Sequence, residues 1–184
     1  MTGGGTGATT LRLVRPGDAA AVAALLRENW PFLAPYEPER DEAHFTAEGQ
    51  GELLTAALAE HAAGRVAPYV IEHDGELVGR LTLSGIVRGP FQSADVGYLV
   101  AEAVNGRGVA THAVAALVEL AFAPAPGGLG LHRLQAGTLL SNSASQAVLQ
   151  RNGFERIGVA RRYLRIAGRW QDHVLYQRTA PHWS

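Results

Sequence analysis

Asp95-Val96-Gly97-Tyr98-Leu99-Val100, then Asn105-Gly106-Arg107-Gly108-Val109-Ala110-Thr111, then an apolar run to Phe122, is the stretch on which the fold turns. The first block reads as a strand, the second as a glycine turn and the third as a helix. A glycine turn that feeds a helix is either a plain tight turn or an anion site. The first backbone N–H groups of the helix lack internal partners, and the helix dipole places partial positive charge there. Gly106 and Gly108 have no Cβ, so a phosphate can approach the backbone, and Ala110 is small enough to keep that approach open. Val109 continues the backbone cradle, Arg107 adds a charge and the Thr111 hydroxyl a further donor. Two other phosphate motifs are excluded. The spacing lacks the third glycine of a dinucleotide fingerprint, and all basic residues of the chain are arginine, so there is no Walker lysine and no Schiff base.

Working outward, 184 residues with 47% hydrophobic content suit one globular domain with a substantial core. We expect a flexible leader over 1–9 and one domain over 10–184. No apolar run reaches the length of a membrane span, and the glycine-rich start has neither region of a signal peptide. There is no cysteine, hence no disulfide framework or thiolate nucleophile, and a cytoplasmic location is the simplest reading. The seven histidines show no metal-ligand spacing, so no metal is expected. Net charge is −1, which gives no bulk attraction to nucleic acid, but residues 1–100 carry about −6 and residues 101–184 about +5. An acidic first half favours a cationic substrate and a basic second half an anionic cofactor; mixed solvated faces are the alternative.

In chain order, Leu11–Arg15 alternates as a strand and Asp18 can cap a helix over Ala19–Arg27. Trp30 to Pro38 holds three prolines and three aromatics, which predicts an irregular segment: either a loop packed on the core or a wall of a substrate pocket. Glu42–Ala63 is helical in composition, with a break expected at Gly49-Gln50-Gly51. Strands follow at Pro68–Glu72 and Leu77–Ile86, joined through Asp74-Gly75, then at Ser93–Val100 and His132–Leu140. A short helix over Gln146–Arg151 precedes a terminal hairpin, Phe154–Ile166 and Trp170–Thr179. This order predicts an α/β fold: one mixed, mostly antiparallel sheet of six to seven strands with helices on both faces.

Asn105-x-x-Gly108-x-Ala110 resembles the pyrophosphate loop of the GCN5-related N-acetyltransferases, which lies between a central strand and its following helix. Asn142-x-x-Ser145 with Gly153-Phe154 resembles the fourth helix of the same family, although Asn and Ser before a helix also serve as plain caps. Phe32–Glu42, Val87-Arg88-Gly89 and the hairpin segment Arg161–Tyr176 are similar to the RimJ/RimL type, the ribosomal-protein-alanine N-acetyltransferases, and closest to the RimJ branch. The resemblance spans roughly 10–183. It implies acetyl-CoA as cofactor, with Asn105 to Thr111 on the pyrophosphate and Asn142 on the cofactor arm. It also implies an oxyanion met by a backbone N–H near Leu99 or Val100, and direct attack of a neutral amine on the thioester. Two departures stand out. Asn105 replaces the usual Gln or Arg, and Leu149 stands where many members carry the tyrosine that protonates the thiolate. The acid role then passes to Ser145 or to water.

An α-amine, which titrates near ~7.7–8.0, costs about 1 kcal/mol to deprotonate at neutral pH, against about 4 for a lysine near ~10.4. An N-terminal acceptor therefore needs little from a base. Glu37, Glu102 and Asp172 are the candidate bases, with Asp172 also suited to holding the hairpin together. Trp30, Tyr36, Tyr98 and Tyr163 are candidates to flank the incoming N-terminus, or to be core. Three functions stay open: acetylation of a protein N-terminus, acetylation of a small amine such as an aminoglycoside or polyamine, and a non-catalytic acetyl-CoA sensor. A monomer or homodimer is expected.

Overall fold

The computed structural model describes residues 7–181. Of the leader expected over 1–9, residues 1–6 lie outside that range, and the first strand, β1, already starts at Thr9 (Thr9–Leu13). Among the described residues, six more strands join it in one sheet: β2 (Ala67–His73), β3 (Glu76–Val87), β4 (Ser93–Val100), β5 (Arg133–Leu139), β6 (Glu155–Ile166) and β7 (Arg169–Thr179), in the order β1-β2-β3-β4-β5-β7-β6. Every neighbouring pair is antiparallel except β4–β5. The mixed, mostly antiparallel sheet expected from the order of elements is present.

The parallel pair decides the shape. β4 and β5 pair only at Ser93–Asp95 against Arg133–Gln135. Beyond Asp95, β4 stays with β3 as far as Val100 opposite Gly79, and β5 stays with β7 as far as Leu139 opposite His173. Each strand keeps its antiparallel partner, and the sheet opens as a wedge between them.

Helices cover both faces. Helices α1 (Ala19–Leu33) and α2 (Ala47–Ala62) bury Val22, Leu25, Leu26 and Leu54 against Val70 and Leu99. Helices α3 (Val109–Phe122) and α4 (Ser143–Arg151) close the other face, where Val114, Leu117 and Leu149 meet Leu81, Val96, Ala136 and Tyr176. Strand alternation thus sorts β4: Leu99 faces α1 and α2, while Val96 and Val100 face α3 and α4.

Three local expectations are corrected. Trp30-Pro31-Phe32-Leu33 is helical, the last turn of α1, and only Ala34–Tyr36 forms the irregular turn of 3₁₀ helix. Pro31 removes one N–H near the end of the helix, and burial of Leu33 with the edge-on stacking of Trp30 on Phe45 (4.9 Å) offsets that loss. The break in the second helical region lies at Thr46, not at Gly49–Gly51. Thr46 Oγ1 caps α2 by accepting from the Gly49 N–H at 3.0 Å, and α2 runs through both glycines. A Cβ on Gly49 would collide with the Ala43 carbonyl oxygen, so this glycine permits a close approach and does not end the helix. The fourth helix also begins earlier, at Ser143, because Asn142 supplies the cap.

Candidate active site

The wedge between β4 and β5 holds a cavity of about 810 Å³, lined by residues from both faces of the sheet. Its floor on the α3 side is the glycine turn. Gly106 and Gly108 adopt φ of +75° and +83°, and Gly108 is the left-handed cap of α3. The first bond of the helix runs from the His112 N–H to the Gly108 oxygen at 3.0 Å. The N–H groups of Val109, Ala110 and Thr111 are therefore left without helical acceptors at the cavity wall. Asn152 Nδ2 donates to the Thr111 oxygen at 3.1 Å and ties the end of α4 to this turn. Arg107 is exposed and does not line the cavity; Asn105, Gly106, Gly108, Val109, Ala110 and Thr111 do.

The opposite wall on the same face comes from α4 and β5. Asn142 Oδ1 accepts from the Ser145 N–H at 3.0 Å, so its oxygen is engaged as a cap and its amide NH₂ is the part left for a ligand. The Tyr98 hydroxyl lies 2.8 Å from Ser145 Oγ and 3.2 Å from the Ser145 carbonyl oxygen. Burial pushes the Tyr98 phenol up to about 12, against a smaller opposing effect of the Ser145 hydrogen bond, so it stays protonated. Leu149, fully buried, lies one helical turn beyond Ser145 on the same wall. Thr138 on β5 lines the cavity with its hydroxyl buried and without a partner, the signature of a group awaiting a ligand.

The Ala101 N–H donates to the Val78 oxygen at 2.7 Å. By alternation the Leu99 N–H also points to β3, whereas the Tyr98 and Val100 N–H groups point into the wedge.

On the other face, Tyr36 and Glu37 form the cavity lip. Glu37 is half-buried, and burial raises its carboxyl above the usual range, opposed by the charges of Arg40 and Arg80. The segment is held by the Ala167 N–H on the Glu37 oxygen at 2.9 Å. The other sequence candidates lie elsewhere. Glu102 is exposed outside the cavity, its N–H on Asn29 Oδ1 at 2.8 Å. Asp172 accepts from the Arg162 N–H at 2.8 Å across the bulged hairpin and borders a separate hollow of about 370 Å³ with Arg169 and Trp170. Trp30 packs on Phe45, and Tyr163 stacks edge-on with His173 at 5.6 Å. His173 was not among the sequence candidates, yet it lines the cavity and is 3% exposed. A lone histidine in a strand carries no spacing signal; only the sheet register places it in the wedge.

This geometry fits an elongated phosphorylated thioester: unpaired helix N–H groups over left-handed glycines, free strand N–H groups in a wedge, and an orphaned hydroxyl on its wall. Among the described residues no group of three His, Asp or Glu side chains is placed to hold a metal, and no helix is long and apolar enough to cross a membrane.

Comparison with known proteins agrees. The model of the acetyltransferase (GNAT) domain matches residues 9–155. The [ribosomal protein uS5]-alanine N-acetyltransferase of Escherichia coli is 33% identical over 176 residues, covering 95% of this chain and 89% of that one. Mycobacterium smegmatis RimJ, solved with CoA-disulfide, superposes with a TM-score of 0.91 at 36% identity, over 97% of this chain and 85% of that one. The ribosomal-protein-S5-alanine acetyltransferase from Vibrio fischeri gives 0.89 at 31%, over 96% and 95%. Binding of acetyl-CoA is thus supported by the family, and the cavity has a shape and lining that fit it. The chain belongs to the GNAT acetyltransferase family and is an acetyl-CoA-dependent acyltransferase of the RimJ/RimL-like type.

Proposed function

We propose that this chain acetylates the α-amine of a protein N-terminus, of the ribosomal-protein alanine type, by direct transfer. The observation that carries the reading is the wedge lined from both faces: a phosphate cradle on the α3–α4 side, and on the α1–α2 side a mouth whose only carboxylate among the described residues is Glu37. The names borne by its relatives point to the same acceptor.

Acetyl-CoA supplies the activated acetyl group. The backbone of Gly106 to Thr111 holds the pyrophosphate, and the amide of Asn142 and the hydroxyl of Thr138 meet the amide-bearing arm. The Val100 N–H, free in the wedge, meets the oxyanion as charge develops. Glu37 attracts the ammonium of the incoming N-terminus, and Tyr36 shapes the mouth. The Ser145 hydroxyl donates to the departing sulfur. Tyr98 remains protonated and, 2.8 Å from Ser145 Oγ, holds the serine in place.

The same carboxylate also suits a small polyamine or aminoglycoside, a reading that the acidic first half favours. Thiol release with matched peptides separates the cases: a free N-terminal Ala peptide without lysine, a blocked peptide with an internal lysine, and a small-amine panel. Turnover on the first alone is expected. Turnover on the amines alone transfers the assignment to a small acceptor, and cofactor binding without turnover on any makes the chain a sensor.

A further inference from the structure

We infer that His173 is the group that takes the proton from the attacking amine. This deepens the reading above and rests on it. The lining of the cavity holds one histidine, one carboxylate (Glu37) and one arginine (Arg151) among the described residues. His173 Nδ1 lies 3.0 Å from its neighbour Gln171's carbonyl oxygen, which can only accept. Nδ1 therefore carries the proton in the neutral ring, and Nε2 presents its lone pair. Nε2 has no hydrogen-bond partner among the described residues, in a side chain that is 3% exposed and borders the wedge.

The sheet register places this lone pair on the acceptor side. His173 pairs with Leu139 on β5 and with Ala160 on β6. Its neighbours Val174 and Tyr176 pack toward α3 and α4, where the Tyr176 hydroxyl donates to Gln146 Oε1 at 3.4 Å. By alternation His173 projects from the other face, the one that bears α1 and α2 and the Glu37 mouth. Gly137 lies beside the ring on this face: a Cβ there would be in ordinary contact with Leu175 Cδ2 at 3.4 Å, Tyr163 Cε1 at 3.6 Å and His173 Cδ2 at 3.8 Å. Tyr98 and Ser145 stand on the opposite face. The wedge therefore has a proton acceptor on the amine side and a proton donor on the sulfur side.

The titratable groups around the ring are few. Tyr163 faces it from β6, and β5 contributes Gly137 and Leu139, which do not titrate. Across the cavity stand Tyr36 and Glu37, with the charges of Arg40 and Arg80 acting on Glu37. On its own strand, Asp172 is engaged with the Arg162 N–H.

The step balances without a further reagent. The α-ammonium loses one proton to Nε2, and the neutral nitrogen forms a bond to the acetyl carbon as the carbon–sulfur bond breaks. The second nitrogen proton leaves to water on formation of the amide, the sulfur takes its proton from Ser145 Oγ, water restores the serine proton, and Nε2 releases its proton to water. Glu37 holds the cation; His173 removes its charge.

The test is the pH dependence of kcat/KM for the Ala peptide with wild type, His173→Gln, His173→Ala and Glu37→Gln. Circular dichroism and acetyl-CoA titration confirm that each variant is folded and binds cofactor. His173→Gln should lose about 100-fold near pH 7, the usual scale of a general base. The deficit should shrink above about pH 8, where the α-amine is already neutral. Added imidazole should restore part of the activity of His173→Ala, and Glu37→Gln should raise the peptide KM while keeping the pH profile of wild type. An equal deficit for His173→Gln at all pH values, or a pH-dependent deficit in Glu37→Gln in its place, overturns the assignment. Wild-type thiol release on the Ala peptide reports separately on the proposed function; a wild type silent on every amine overturns both.

Discussion

At the scale of single residues, the proposed site turns on a pair that spans two elements. Ser145 sits in the first turn of α4 and Tyr98 near the end of β4, with hydroxyls 2.8 Å apart. Leu149, where the resemblance calls for a tyrosine, is sealed and cannot move a proton. If Ser145 donates and Tyr98 only orients it, Ser145→Ala and Tyr98→Phe should each lower kcat by about 10- to 100-fold. The KM for acetyl-CoA should move little. The double variant should be no worse than Ser145→Ala, because Tyr98 acts through the serine. Steady-state kinetics of the three variants checks this, and additive losses would refute the coupling. Ser145 was legible as a candidate because it belongs to a motif. Its partner was visible only as an aromatic on a strand, since 47 residues separate them in the chain.

At the scale of elements, the glycine turn was legible because both glycines answer a backbone demand. Gly108 caps α3 with φ +83°, a conformation that β-branched residues avoid. Gly108→Val should abolish acetyl-CoA binding in calorimetric titration and cost about 1–2 kcal/mol of stability, while the circular dichroism spectrum remains that of a folded chain. Retained affinity would remove the turn from the site. The α1 boundary shows why composition misleads. Prolines and aromatics from Trp30 onward read as a loop, yet one lost hydrogen bond near a helix end weighs less than burial of Leu33 and the packing of Trp30. The reverse holds at Gly49, where an apparent breaker sits inside a helix.

For the whole molecule, stability should fall on acidification earlier than carboxylates alone require. His44 is buried beneath α2, and burial lowers its pKa to about 4, with the charges of Arg40 and Arg80 in the same direction and Asp41 opposing. In the unfolded chain a histidine takes up its proton near ~6.5. Between those values the unfolded state binds more protons, so the contribution present above about pH 6.5 is lost as pH falls through about 4, by at most about 3 kcal/mol. Asp18 adds a second loss at lower pH. Its hydrogen bonds from Arg12 hold its carboxyl below the ordinary 3.8, so its contribution disappears only as pH falls through that depressed value. Urea midpoints at pH 8, 6 and 4.5 should fall steeply for wild type and less for His44→Phe. That variant keeps the ring packing, and Gln50 keeps its bond to the backbone oxygen of residue 44 at 2.6 Å. Equal slopes would show that His44 does not set the acid limit.

The amino-acid sequence by itself determined the strand–glycine turn–helix unit, the order of elements, the single mixed sheet and the family. These rest on local signals: hydrophobic period, positive-φ glycines, caps and a hairpin turn. Only the tertiary structure decided which polar side chains share the wedge. It excluded Glu102 and Asp172 from the cavity, kept Glu37, joined Tyr98 to Ser145, and brought in His173 and Thr138. The reason is physical. β4 and β5 are held by different antiparallel partners and separate after three pairs, and the face that each residue presents there depends on register across strands distant in the chain.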